Sequence, residues 1–259
     1  MKLKLIVGLI GVLSLSSFST LPSSGDADKR QQENWVVGPF IRPEGVNPVI
    51  VPQPTSFYCP MRKEQVKWEE SDTFNPAATV KDGKIVVLYR AEDNSAQGIG
   101  KRTSRIGYAE SADGLTMKRS DSPVLFPGGD DFESIECPGG CEDPRVAMTE
   151  DGLYVMIYTA WNRKTPRLAV ATSKDLKNWT KHGLAFEKAY DGRFTRIATK
   201  SASILTKVKG GKLVIDKVDG KYFMYWGEYA VHAATSDNLT DWYPVLDKNC
   251  LLYTSDAAD

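Results

Sequence analysis

VKDGKIVVLYRAED (80–93), TEDGLYVMIYTAW (149–161) and KVDGKYFMYWGEY (217–229) decide the fold. Each opens on an Asp-Gly pair, a strong signal for a tight turn. Each then runs through aromatic and β-branched residues over one strand length. Asp82, Asp151 and Asp219 stand 69 and 68 residues apart. A second set interleaves with the first: RIGYAESADGLTMK (105–118), RLAVATSKDLKNWTK (167–181) and VHAATSDNLTDWYP (231–244). Its serines, Ser111, Ser173 and Ser236, fall 62 and 63 residues apart. Each is followed by Asp or Asn and then by Met or Trp.

A fixed period of this size marks a repeat architecture. One unit holds about four short antiparallel strands, the size of a propeller blade. The fold class predicted is therefore all-β, a β-propeller. A β-sandwich is the alternative, but sandwiches have no reason to repeat at this period. No helical period of useful length follows residue 30. Three units fit before residue 249, whereas a ring closes with four or more blades. The chain is thus expected to be truncated at its C-terminus. An open ring exposes blade edges, so the 259 residues alone are expected to be poorly stable and inactive.

The termini read differently from the repeats. MKLKLIVGLIGVLSLSSFST has two lysines, an apolar run and small polar residues, the layout of a secretory signal peptide. A signal peptide over 1–24 and a lead-in over 25–45 are expected before a propeller domain at 46–249, with the mature protein periplasmic or secreted. A buried N-terminal element is the alternative. The closing CLLYTSDAAD (250–259) resembles a translated sequencing adapter and is expected not to be native, the alternative being a polar tail. Lys plus Arg equals Asp plus Glu at 33 each, so no basic excess points to nucleic acid. No membrane partner is expected once the signal is removed, and the oligomeric state is left open. Aromatic residues make up 10% of the chain, which suits β structure and also sugar stacking, though most are expected in the core. Cys137 and Cys141 frame CPGGC and either bridge or stay free. C-x3-C with only two histidines in the chain, neither of them next to the pair, is a weak metal signal. No metal and no cofactor are expected.

Aligned on their Asp-Gly turns, the units carry YRAED, YTAWN and WGEY at one strand end. Arg90, Glu92, Asp93, Trp161 and Glu228 thereby take related places in different blades. The entry strands FNPAA, EDPRV and KSASI present Asn75, Asp143 and Lys200 likewise. Asp143 precedes Pro144, which predicts extended backbone. Strand alternation then sends Asp143 and Arg145 to one side and Glu142 to the other. Asp143 reads as a general acid if burial raises its pKa, or as a structural partner of Arg145. Glu228 reads as its catalytic partner, two carboxylates about 6.5–9.5 Å apart suiting an inverting glycosidase. It also suits a simple hydrogen bond to a sugar hydroxyl.

WEESDTFNPAA, LYRAEDN, TSRIGYAESADG, PGGCEDPR, YTAWNRKTPRLAVATSKDLKNW, TKSASI and GKYFMYWGE together resemble glycoside hydrolase family 130 from Trp68 to Trp242. The resemblance implies a five-bladed propeller acting on β-mannosides with inversion, as a phosphorylase or a hydrolase. It implies Asp143 as general acid, acting in the phosphorylases through a sugar hydroxyl. It implies Asn75, Arg90, Asp93 and Arg105 at the mannose subsite. Arg145, Trp161 and Trp226 are candidate substrate contacts beside them. Lys200 matches the lysine that meets phosphate in the phosphorylases. Where those enzymes place a histidine and small residues, this chain has Trp226-Gly227-Glu228. A glutamate there repels a phosphate dianion and suits a general base, so the motif resembles the hydrolytic β-mannosidases, including those for β-1,2 links. The partner expected is a mannoside oligosaccharide. The rival readings are a phosphorylase, a non-catalytic sugar-binding propeller, which an intact EDPR disfavours, and an arabinosidase-like enzyme, whose motifs are not seen.

Overall fold

The structure, a computed structural model, describes residues 40–246. The segments 1–24 and 250–259, with Cys250, lie outside the described residues. The chain forms two compact units, Met1–Asn47 and Pro48–Asp259. In the first, Asn47 Nδ2 donates to the Pro43 carbonyl at 3.2 Å, and Phe40 and Ile41 are exposed. The second unit holds every strand among the described residues. Its helical elements among those residues are a single turn, α1 (Glu133–Glu136), and a 3-10 turn at Arg193–Arg196.

A hairpin of β1 (Gln53–Cys59) and β2 (Glu64–Glu69) leads into three antiparallel meanders. The first contains β3 (Asp72–Lys81), β4 (Lys84–Glu92), β5 (Ser104–Ser111) and β6 (Lys118–Arg119). The second contains β7 (Gly140–Met148), β8 (Tyr154–Trp161), β9 (Pro166–Ser173) and β10 (Thr180–Leu184). In the third, β11 (Ala202–Ile204) is followed by an inserted hairpin, β12 (Thr206–Lys209) and β13 (Lys212–Ile215), and by the short β14 (Lys217–Val218). Both β11 and β14 pair with β15 (Lys221–Trp226), which leads to β16 (His232–Ser236) and β17 (Trp242–Pro244). Each repeat read from the sequence is thus one four-stranded meander, the third with an insertion.

The serine motif is the device that turns each meander. Ser111 Oγ accepts from the N–H groups of Asp113 (3.3 Å) and Gly114 (2.9 Å), while Asp113 Oδ1 accepts from Leu115 and Thr116. The same pattern recurs at Ser173 with Asp175 and at Ser236 with Asn238. Such side chains replace missing backbone partners in a turn. The tryptophans close it: Trp179 and Trp242 donate Nε1–H to the carbonyls of Leu176 and Leu239.

The meanders pack face against face, and β8 shows how. Tyr154, Met156, Tyr158 and Ala160 cluster with Leu88, Ile106 and Tyr108 of the first meander. Val155 and Ile157 cluster with Ala202, Ile204, Met224 and Trp242 of the third. A strand buried on both faces reads as a continuous apolar run, which YVMIYTAW is. The β1–β2 hairpin covers the far face of the first meander through Phe57, Val66 and Trp68.

The first and second meanders also meet edge to edge. Ser104 forms a parallel bridge with Gly140, its N–H donating to the Gly139 carbonyl at 2.8 Å. Gly140 has φ 109°, and a Cβ there would sit 2.0 Å from the Ser104 carbonyl oxygen. Gly152 has φ 86° but faces open space. Gly140→Ala is therefore expected to destabilise the protein by more than Gly152→Ala. The latter carries only left-handed strain, about 1–2 kcal/mol, whereas the former adds overpacking of about 1–3 kcal/mol. Urea denaturation of both variants checks the order, and equal losses would refute the tight seam.

Candidate active site

A β-bulge stands at the start of the inner strand in each of the first two meanders. Phe74 pairs with Arg90 but Ala77 with Leu88, and Glu142 pairs with Thr159 but Arg145 with Ile157. The inner strand gains one residue over its partner, which breaks alternation locally. Within the bulges Asn75 and Asp143 have φ 45° and 49°, and Ser201 has φ 54° at the matching place before β11. Asn and Asp tolerate this left-handed conformation better than most side chains.

The bulge overturns four sequence expectations. Asp143 is not extended, because the preference imposed by Pro144 is met by a left-handed rather than an extended backbone. Glu142 and Asp143 do not diverge; both reach Arg90. Arg145 does not accompany Asp143. It is exposed and turned away, donating to the carbonyls of Pro144 and Pro76 (2.9 and 3.5 Å) and lining a separate cavity of about 900 Å³ along β3, β7 and the β12–β13 hairpin. The equivalent of Asn75 and Asp143 in the third meander is Ser201, and Lys200 matches Phe74 and Glu142.

Arg90 is the centre of the site. Its guanidinium is buried and meets Glu92 Oε1 at 2.6 Å, Glu142 Oε1 at 2.8 Å and Asp143 Oδ1 at 3.1 Å. Nε–H donates to Ser104 Oγ at 3.0 Å, and the cation stands 4.6 Å from the centroid of the Phe74 ring. Asn75 Nδ2 donates to the same Asp143 Oδ1 at 2.8 Å. Lys200 Nζ approaches Asp143 Oδ2 at 3.6 Å and Glu142 Oε2 at 3.8 Å. Asn75, Arg90, Asp143 and Lys200, named from the sequence, are thus brought together from three meanders. Asp143 Oδ1 is engaged twice, whereas Oδ2 has only the distant Lys200 and is 17% exposed as part of its side chain. That oxygen is the one left for a ligand.

Burial pushes the Asp143 carboxyl up, but the Asn75 hydrogen bond and the charge of Arg90 outweigh it and hold the group below the usual carboxylate range. The condition on which the sequence read Asp143 as an acid, that burial raise its pKa, is thus not met in the free site, and Arg90 rather than Arg145 is the cation that opposes it. Burial instead pushes Glu142 up to about 7, Arg90 and Lys200 offsetting only part of that and Asp143 and Glu92 adding to it.

The remaining named residues have partners of their own, and no contact among the described residues joins Glu228 to Asp143. Arg105 and Asp93 form a wholly buried pair at 2.9 Å. Trp161 donates Nε1–H to Gly100 and packs where a side chain on Gly139 would otherwise stand. Trp226 packs against Phe186, Phe194 and His232. Glu228 is exposed, one residue beyond Gly227, whose N–H donates to the carbonyls of Lys200 (2.9 Å) and Ser201 (3.2 Å). Cys59, Cys137 and Cys141 are free thiols. Among the described residues, no group of three or more His, Cys, Asp and Glu side chains is placed to hold a metal.

A family model described as beta-1,4-mannooligosaccharide phosphorylase, glycoside hydrolase family 130, matches residues 53–255. The chain belongs to glycoside hydrolase family 130. A 1,2-beta-oligomannan phosphorylase of Thermoanaerobacter sp. is 33% identical over 188 residues, covering 71% of this chain and 55% of that protein. The crystal structure of a glycosyl hydrolase from Bacteroides ovatus is 59% identical with TM-score 0.82, covering 85% of this chain and 62% of that one. A third match has 60% identity, TM-score 0.82 and the same coverage. Its description states that the GH130 family of mannoside phosphorylases contains glycoside hydrolases that target β-1,2 mannosidic linkages in Candida mannan. The chain spans about half the length of the curated relatives it matches.

Sequence reasoning missed two members of this cluster. Glu142 was sent to the wrong side by assuming regular alternation, and Ser104, which holds Arg90 and reaches Glu92 at 3.1 Å, went unremarked beside Arg105. The repeat alignment itself could have found Glu142, since it shares a column with Lys200.

Two outcomes follow from the charges. Arg90→Met takes the closest cation from three carboxylates, leaving Arg102 at 3.6 Å from Glu92 and Lys200 at 3.6 and 3.8 Å from Asp143 and Glu142. It is expected to cost about 3–5 kcal/mol near neutral pH, less at pH 5, below the raised pKa of Glu142. Urea denaturation at both pH values checks this, and an equal loss at both would count against it. Glu142 has a folded pKa raised from 4.5 to about 7, so its contribution to stability is present below the ordinary carboxylate range and is lost as pH rises through about 7. Glu142→Gln is expected to flatten that part of the stability profile, which thermal melts from pH 4 to 8 would reveal.

Proposed function

We propose that this protein cleaves β-mannosides by hydrolysis with inversion, on a five-bladed propeller of which the three meanders are blades. The observation that carries the reading is Asp143, fixed through one oxygen by Arg90 and Asn75 and offering the other to a ligand. Its Oδ2, when protonated, gives its proton to the leaving glycosidic oxygen as the C–O bond breaks. Glu228 takes a proton from the attacking water, whose oxygen bonds to the anomeric carbon from the opposite face. Gly227 has φ 124°, and a Cβ there would sit 1.9 Å from the Ala230 carbonyl oxygen, so the turn that presents Glu228 requires glycine. Asn75, Arg90, Asp93, Arg105, Trp161, Lys200 and Trp226 form or brace the mannose subsite.

Hydrolysis is favoured over phosphorolysis by Glu228, whose negative charge opposes a phosphate dianion. The 60%-identical structure described with β-1,2-directed hydrolases points the same way. The phosphorylase reading keeps one specific support, the name of the curated relative, joined to the cation of Lys200. A periplasmic or secreted location rests on the N-terminal pattern alone.

The product of the complete reading frame is expected to release mannose from β-1,2-mannobiose in phosphate-free buffer. Release of mannose 1-phosphate, and only when phosphate is added, would make it a phosphorylase. Asp143→Asn is expected to lower kcat by about 10²–10⁴-fold, and Glu228→Gln by a similar factor. Full activity of Asp143→Asn would reduce Asp143 to a structural ion pair.

A further inference from the structure

Glu142 has no part in the reaction drawn above, yet it touches both cations that hold Asp143. Its Oε1 meets Arg90 at 2.8 Å and accepts from Ser104 Oγ at 3.5 Å, and its Oε2 faces Lys200 at 3.8 Å. Asp143 meets the same two cations, Arg90 at 3.1 Å and Lys200 at 3.6 Å. On a regular strand two adjacent side chains could not share such partners; the left-handed bulge residue makes it possible.

The groups facing Glu142 come from each neighbouring element. Arg90 and Glu92 come from β4, Ser104 from β5, Asp143 from β7 itself and Lys200 from the segment before β11. Arg102, which pairs with Asp72, also stands 3.6 Å from Glu92 Oε2, so three cations, Arg90, Arg102 and Lys200, serve four carboxylates, Asp72, Glu92, Glu142 and Asp143. One surplus negative charge in such a place is costly, and binding a proton removes it.

We propose that Glu142 is a positioning residue for Asp143: the two carboxylates, anchored on the Arg90 and Lys200 they share, hold one proton between them. The inference rests on reading Asp143 as the acid. An ionised Glu142 draws on the shared cations and repels a second anion, so Asp143 becomes able to keep the proton it must donate. Burial favours Glu142 as the resting place of that proton, and the Asn75 hydrogen bond favours ionised Asp143. Coupled groups of this kind titrate as a pair. The armed form, with the proton on Asp143, persists up to the pH at which the pair loses its single proton. Without Glu142, Asp143 loses its proton at a lower pH, and activity at neutral pH falls.

Carboxyl 13C NMR titration of the full-reading-frame product with labelled Asp and Glu needs no turnover, so it separates this inference from the assigned reaction. The Asp143 signal is expected to show two steps, the second coinciding with the step of Glu142. In Glu142→Gln it should show one step, lower by at least about one pH unit. An Asp143 curve unchanged by Glu142→Gln overturns the proposal. If that variant does not fold, Lys200→Met replaces it. Removal of a shared cation must move both signals upward together, and movement of one alone, or of neither, overturns the proposal. In an enzyme confirmed to release mannose, Glu142→Gln should shift the basic limb of the kcat/KM profile to lower pH, and a uniform loss at all pH values would instead mark a merely structural role.

Discussion

One guanidinium holds the site together. Arg90 lies buried between the first two meanders and satisfies Glu92 from its own strand and Glu142 and Asp143 from the next meander. Three carboxylates could not enter that volume without it, since each brings a desolvation penalty of several kcal/mol. A lysine, with its compact point charge, could not spread a planar fork across three acceptors and also rest on Phe74. The charges are therefore mutually dependent, and the seam that joins two sheets is also the floor of the site.

The second requirement is backbone. A pleated strand separates neighbouring side chains, and an acid pair such as Glu142–Asp143 is useless for a shared site in that geometry. Each bulge converts two successive residues into two tiers at the start of an inner strand. One tier is Phe74, Glu142 and Lys200, which pack and carry charge below. The other is Asn75, Asp143 and Ser201, which share the left-handed conformation. The repeat thus supplies the same left-handed position three times, within a bulge in the first two meanders, and the side chains placed on it differ. Duplication of a scaffold provides converging positions, and substitution at those positions makes chemistry.

This explains what could and could not be read from the sequence. The period, the Asp-Gly turns and the four strands of each meander were legible because turn chemistry and strand length are local. The serine motif was legible as a repeat and proved to be a turn cap. The four-residue cluster of Asn75, Arg90, Asp143 and Lys200 was legible because the alignment put those residues at equivalent strand ends. The direction of each side chain was not. A single inserted residue inverts alternation, and nothing in EDPRV distinguishes a bulge from a regular strand until the pairing with β8 is known. Hence Arg145 was placed in the site and Glu142 outside it, the reverse of what the register dictates.

The position of the site at a junction between sheets has a physical cause. Within one meander, strands are locked by a full ladder of hydrogen bonds and have no room for a ligand. Where the faces of β8 meet the neighbouring meanders they are apolar and closely packed. At the strand ends, where Gly139 and Gly140 let two backbones approach closely enough for the Ser104 bridge, buried charged side chains from different sheets come within bonding distance. The glycines bring the backbones together, the bulges aim the acids, and Arg90 makes their approach tolerable. Remove any one and the other two no longer suffice, because the seam opens, or the acids diverge, or their charge goes unbalanced.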